Sequence, residues 1–213
     1  TLKAEFRLSD SFLGLLLGPA FAVLFTTLSI PIARLADRHS RVLILSAGCL
    51  LWSLFTMLSG LATDRWMLAA MRVGVGIGEA AFIAPAYSVL ADRFGPEQRG
   101  KAFAILGLGI YFGQIGGYIG GPALAALHGW RMAFLLMGAP GILLALLTVL
   151  LIREPLHRKP ATAAAGDGER LLGIWGRLMR LDSYRDANLG AALGTLSGFS
   201  FGMWGPALFV RAY

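Results

Sequence analysis

The sequence predicts an all-α integral membrane protein, and three observations predict it. Mean hydropathy is +0.67, only 15% of the 213 residues are charged, and six apolar segments are each long enough to cross a bilayer. A hydrocarbon core of about 30 Å needs ~20 helical residues. The segments run from Ser11 to Leu35, Val42 to Ala62, Trp66 to Leu90, Ala102 to Leu127, Met132 to Ile152 and Ala187 to Val210. Membrane strands would be about ten residues long and alternate in polarity, which these segments do not. Their many glycines would weaken soluble helices, but small residues let membrane helices approach closely.

The turns between segments set the expected orientation. Arg34 to Arg41 and Asp92 to Lys101 are rich in arginine and lysine, and so is the connection from Arg153 to Asp186. The alternate turns, Thr63 to Arg65 and His128 to Arg131, carry little charge and are flanked or filled by Trp66 and Trp130. Positive charge stays inside and tryptophan anchors at the interface, so the basic turns are expected to be cytoplasmic. Net charge is +7, but the basic residues fall in short segments between apolar runs and form no stripe, which argues against nucleic acid and for lipid headgroups. Within the long connection, 156–168 reads as a linker. Glu169 to Leu181 reads as an amphipathic helix, either on the inner membrane surface or packed as a connector, with Leu171, Leu172, Trp175, Leu178 and Met179 as its apolar stripe.

Chemistry of other kinds finds little support. Cys49 is the single cysteine and sits in an apolar run, so no intrachain disulfide or cysteine metal site is available. His39, His128 and His157 are scattered over turns, with neither metal spacing nor a triad. GVGIG, at 74–78, has no preceding strand and is no phosphate loop. No enzyme, metal or cofactor is expected, and a membrane enzyme or receptor-like scaffold stands as the alternative of another class. The chain opens TLKAEFRLSD, without a starting methionine or a cleavable signal, and stops after an apolar segment, so it is expected to be part of a longer polypeptide.

Two groups of charges stand out. Arg72 and Glu79 lie inside the third apolar segment, seven positions and almost two turns apart, which puts them on one helix face roughly 10 Å from each other. Ionisable groups at that depth look into a bundle or a water-filled cavity. The plain alternative is an ion pair that locks the helix to a neighbour. The second group is a repeat, LADR, at Leu35 to Arg38 and Leu90 to Arg93, each where a helix leaves on the basic side. Aspartate at a helix C-terminus needs a compensating cation. Arg41 is in position to meet Asp37 one turn on, or Asp92 if the two helix ends are neighbours. If the third segment is one continuous helix, it joins the buried pair to Asp92 as a rigid rod.

The run ARLADRHSR, Ala33 to Arg41, together with Arg72, Gly76, Gly78 and Ala80, the loop DRFGPEQRGKA and the run GWRMAFLLMGAPG, resembles the major facilitator superfamily of secondary transporters. More narrowly, RVGVGIGEA with ADRF and PEQRGKA is similar to the spinster-like branch, which moves lysophospholipids and sphingosine phosphates. Hexuronate and aromatic-acid transporters have similar loops.

The resemblance implies a major facilitator fold of which helices two to seven of twelve are present. Residues 1–155 would be the N-terminal half without its first helix, 156–186 the cytoplasmic linker, and 187–213 the first helix of the C-terminal half. It implies a cytoplasmic gate of Asp37, Arg41 and Asp92, and a midplane site between two rocking halves. On that basis Arg72 is expected to hold an anionic headgroup and Glu79 to carry the coupling proton. Tyr111, Gln114, Tyr118, Phe201 and Trp204 are expected to line an amphipathic cavity. The expected protein is a monomeric, multi-pass transporter of the inner cell membrane, moving a lipid-like anion with protons. A carrier of small organic anions or drugs is the alternative.

Overall fold

The structure, a computed structural model, describes residues 2–154 and 171–212, which belong to two compact units, Thr1–Arg158 and Lys159–Tyr213. The predicted linker, Glu169 and Arg170 lie outside the described residues, as do the side chains of Leu171, Leu172 and Trp204. Every element among the described residues is helical.

In the first unit a short helix α1 (Leu2–Glu5) precedes α2 (Asp10–Leu17), α3 (Pro19–Arg38), α4 (Arg41–Ser59), α5 (Arg65–Ala80), α6 (Ile83–Arg93) and α7 (Pro96–Leu151). Side-chain caps start three of them. Ser9 Oγ accepts from Phe12 N, Ser40 Oγ from Leu43 N, and Asp64 Oδ1 from Trp66 N at 2.7 Å and Met67 N at 3.0 Å. The Met67 and Trp66 N–H groups hold the Asp64 carboxyl below the usual carboxylate range. Among the described residues four stretches are long and apolar enough to span a membrane: Asp10–Arg38, Arg41–Ser59, Arg65–Arg93 and Pro96–Leu151. The last, at 56 residues, has the length of two spans.

The structure differs from the predicted segments in three places, and in each a proline or glycine explains it. The first is divided at Gly18 (φ −106°, ψ −103°), because Pro19 has no N–H to continue the ladder and instead opens α3. The third is divided at Ala81 and Phe82. Pro85 cannot donate to the Ala81 carbonyl four residues back, and the chain closes tighter turns there, from Ala81 N to Gly78 O and Phe82 N to Glu79 O. The expected rigid rod from Arg72 to Asp92 is therefore corrected to two helices, α5 and α6. The fourth and fifth segments form one helical hairpin within α7, reversing at a single residue, Gly129 (φ +81°, ψ 159°), a conformation that L side chains rarely adopt. Gly120 on the first limb faces Met137 on the second.

The fold is organised around α4, whose small residues face both neighbours. Towards α5, a Cβ on Gly48 would stand 2.7 Å from Gly78 O and 2.6 Å from the Ala81 Cβ. Towards the second limb of α7, Ser46 Oγ donates to Ala145 O at 2.7 Å and Cys49 Sγ to Gly141 O at 3.4 Å. Further along, Gly138 lies against the Ser53 carbonyl and Met57. Without a hydrophobic drive between helices in lipid, close backbone approach and interhelical hydrogen bonds supply the attraction. Large apolar side chains such as Ile105, Phe112 and Ile119 face outwards, which suits lipid.

In the second unit α8 (Leu171–Met179) falls within the predicted amphipathic segment, and α9 (Asp182–Ala212) covers the sixth predicted span. Trp175 is exposed, while Leu178 and Met179 are half-buried. Arg185 pairs with Asp182 and Asp186 in the first turns of α9, each at 3.0 Å.

Candidate functional site

A cavity of about 640 Å³ opens between α4, α5 and both limbs of α7. Its wall takes Thr56 from α4, Arg72 from α5, Gln114 and Tyr118 from the rising limb of α7, and Trp130 and Phe134 from the returning limb. Among the described residues Arg72 is the only charged one in that wall. Its guanidinium lies over the Phe134 ring, 5.2 Å from the centroid, and Phe134 meets Trp130 edge to face at 6.1 Å. A cation held on an aromatic face, with Glu79 acting on it through space but not in contact, stays available to an anion. The volume falls in the range of small-molecule sites, and an apolar wall with few polar groups is their usual make-up.

The cavity unites Arg72, Gln114 and Tyr118 of the predicted site residues. Tyr111 is exposed, almost two turns before Tyr118 on the same limb, and is not part of the cavity wall. Phe201 is exposed on α9, in the other unit, and the Trp204 side chain lies outside the described residues. Glu79 is half-buried near the end of α5 and outside the cavity wall. Among the described residues neither Arg72 nor Glu79 makes a contact ion pair, although the two charges act on each other through space.

At the arginine-rich end, the repeated motif resolves in one direction. Arg41 pairs with Asp92, which joins the start of α4 to the end of α6. Asp37 is exposed and does not pair with Arg41. The two are four residues apart, but α3 ends at Arg38 and α4 begins at Arg41, so the helical neighbour geometry that spacing would give does not exist.

Sequence reasoning missed Glu154. Its carboxylate accepts from Ser40 Oγ, from Arg41 N at 3.1 Å and from Val42 N at 3.2 Å, capping α4 from the far end of α7. Beside it, Arg93 donates to Arg153 O. A carboxylate two residues after the last apolar residue of a span, Ile152, was the available signal, and its partner lies more than 110 residues away. Glu154→Ala leaves a hydroxyl and two N–H groups without this acceptor. We expect a loss of about 1–2 kcal/mol in thermal or denaturant unfolding, with Glu154→Gln recovering more than half of it.

The family model of the Major Facilitator Superfamily matches residues 1–213. The chain belongs to the major facilitator superfamily. It is a multi-pass membrane protein of a transporter family, and its relatives include spinster proteins. It is 34% identical to an MFS-type efflux pump of Mycolicibacterium smegmatis over 99% of this chain and 48% of that protein. It is 31% identical to a sphingosine-1-phosphate transporter of Xenopus tropicalis over 99% of this chain and 41% of that protein. The chain thus spans about half or less of the length of these relatives. Among solved structures it is similar to a bacterial homolog of the human lysosomal transporter spinster, in an inward-facing and occupied conformation. The TM-score is 0.61 at 36% identity, over 72% of this chain and 39% of that one.

Proposed function

We propose that this chain forms part of a secondary active transporter that moves an amphipathic, anionic, lipid-like substrate by alternating access. One observation carries the reading: the cavity wall is apolar and aromatic, with a single cation among the described residues, Arg72, laid on Phe134 and in contact with no carboxylate. A lysophospholipid or a sphingosine phosphate has the matching parts, an acyl or sphingoid chain for the wall and a phosphate for the guanidinium. The likeness to a sphingosine-1-phosphate transporter supports that class, and the likeness to an efflux pump supports outward movement. The protein works in this reading as a monomer in the inner cell membrane, with Arg41 and Asp92 closing the cytoplasmic side and Asp37 joining them in the complete gate. A carrier of small organic anions or drugs remains the competing reading.

Glu79 is the proposed proton carrier, since it is a half-buried carboxylate on a membrane helix without an ion-pair partner. Flux of sphingosine phosphate or lysophosphatidylglycerol through full-length protein in vesicles is the test. The reading expects a proton gradient to accelerate that flux and Glu79→Gln to abolish the acceleration. Full gradient dependence in Glu79→Gln would remove Glu79 from the coupling step.

A further inference from the structure

At the sparsely charged end of the bundle, the segment before α2 is tied across the tip of the α7 hairpin. Glu5 accepts from Trp130 Nε1 through one oxygen and from Arg131 Nη2 through the other, both at 2.7 Å. Arg131 also stacks on the Trp130 ring, 4.3 Å from its centroid, and Phe6 meets that ring edge to face at 5.6 Å. The second guanidinium nitrogen of Arg131 donates to Gly60 O at 3.2 Å and Ala62 O at 2.7 Å, just past the end of α4. Underneath, Leu8 packs with Ala62 and Leu68 in a small apolar cluster, and Lys3 pairs with Asp10 at 2.6 Å. Trp130 and Arg131 follow Gly129 directly, so the reversal of the hairpin sets where both side chains point.

This network bears on the cavity because Trp130 is part of its wall. An indole with its N–H engaged, one face covered by a guanidinium and its rim met by Phe6 has little freedom to swing away. We propose that Glu5, Trp130 and Arg131 close the cavity at its sparsely charged end, with Glu5 the positioning residue that holds Trp130 in place. The clasp spans three parts of the chain: the N-terminal segment, the end of α4 and the tip of α7. Opening the cavity towards this end requires the N-terminal segment to leave the hairpin, with Glu5 as the contact that breaks.

The clasp does not sense pH near neutrality. The Trp130 indole N–H, and then Arg131, hold the Glu5 carboxyl below its usual value, with Lys3, Arg7 and Asp10 the other charged groups of this strap. A lowered folded value means the interaction is complete above the ordinary carboxylate range and is lost only as pH falls beneath it. Release of the clasp is therefore a matter of ligand and conformation.

The inference rests on the transport reading for its purpose, but its test does not require transport. In full-length protein with every cysteine except the buried Cys49 replaced, Ala125→Cys in the cavity wall is labelled in vesicles by a membrane-impermeant maleimide. Glu5→Gln is expected to raise the labelling rate about 10-fold, and Glu5→Asp to stay within about 3-fold of the parent. Trp130→Phe removes the indole donor while keeping a ring, and is expected to raise the rate about 3-fold; it serves as the test if Glu5→Gln yields no folded protein. Labelling at the parent rate in a folded Glu5→Gln or Trp130→Phe protein would overturn the closure. If no lipid is transported by the parent protein, the substrate reading fails while the labelling rates still decide the clasp.

Discussion

Arg72→Ala, made in the full-length protein, is expected to lower flux of an anionic lysolipid or sphingosine phosphate about 100-fold or more while leaving protein yield intact. Arg72 is the only cation in the cavity wall, and its visible partner is the Phe134 ring. Removing it leaves a phosphate in an apolar cavity without compensating charge. The loss of such a contact is worth about 3 kcal/mol or more, a factor of ~100. Arg72 holds no helix by a contact ion pair, so its removal is expected to cost the fold only the stacking on Phe134. Arg72→Lys keeps the charge but loses the planar group that stacks on the ring and forks towards two phosphate oxygens, so about 10-fold of the loss is expected to remain. Equal flux in the parent and in Arg72→Ala would remove Arg72 from substrate binding.

Gly78→Val is expected to abolish folded protein. A Cβ at 78 would stand 2.5 Å from Trp52 N and 2.7 Å from both Gly48 O and the Trp52 Cβ. Two of these atoms are backbone of α4, which is itself held on the opposite side by α7, so no side-chain rotation relieves the clash. Overpacking of a yielding core costs about 1–3 kcal/mol, and the backbone contacts put this position at or above the top of that range. Gly113→Ala supplies the control, since a Cβ there meets nothing within 4 Å. We expect Gly113→Ala to elute as the parent does in size-exclusion chromatography and Gly78→Val to give aggregate or no yield.

Much of the fold is legible in the residues because its causes are local. Apolar runs of spanning length, basic turns alternating with bare ones, and small residues along Val42 to Ala62 all act within a few turns of chain. The break at Ala81 is also local in origin, in Pro85, although the apolar run continues through it and by hydropathy reads as one segment. Arg72 announced itself as a charge inside an apolar segment. Tyr111 did not separate from Tyr118 in the same way, since both sit on one limb and only the position of the returning limb decides which lines the cavity.

The long-range contacts were the least legible. Repetition of LADR pointed to Arg41 and Asp92, yet it suggested Asp37 equally, and the irregular residues between α3 and α4 decide between them. Glu154 and Glu5 had no such repeat. Glu154 reaches Val42 and Glu5 reaches Arg131 across 112 and 126 positions, and neither sits in a local pattern that names its partner. Carboxylates at the ends of apolar segments read as solvated charges until the helices are packed.

The central claim, that the cavity serves an amphipathic anion, is tested most directly by comparing substrates on the full-length protein in vesicles of one composition. Flux is measured for sphingosine phosphate, for sphingosine without its phosphate, and for a hexuronate, each with and without Arg72→Ala. Movement of sphingosine phosphate that requires Arg72 is expected, with slow flux of both sphingosine and the hexuronate. Rapid movement of the hexuronate, with sphingosine phosphate left behind, would contradict it.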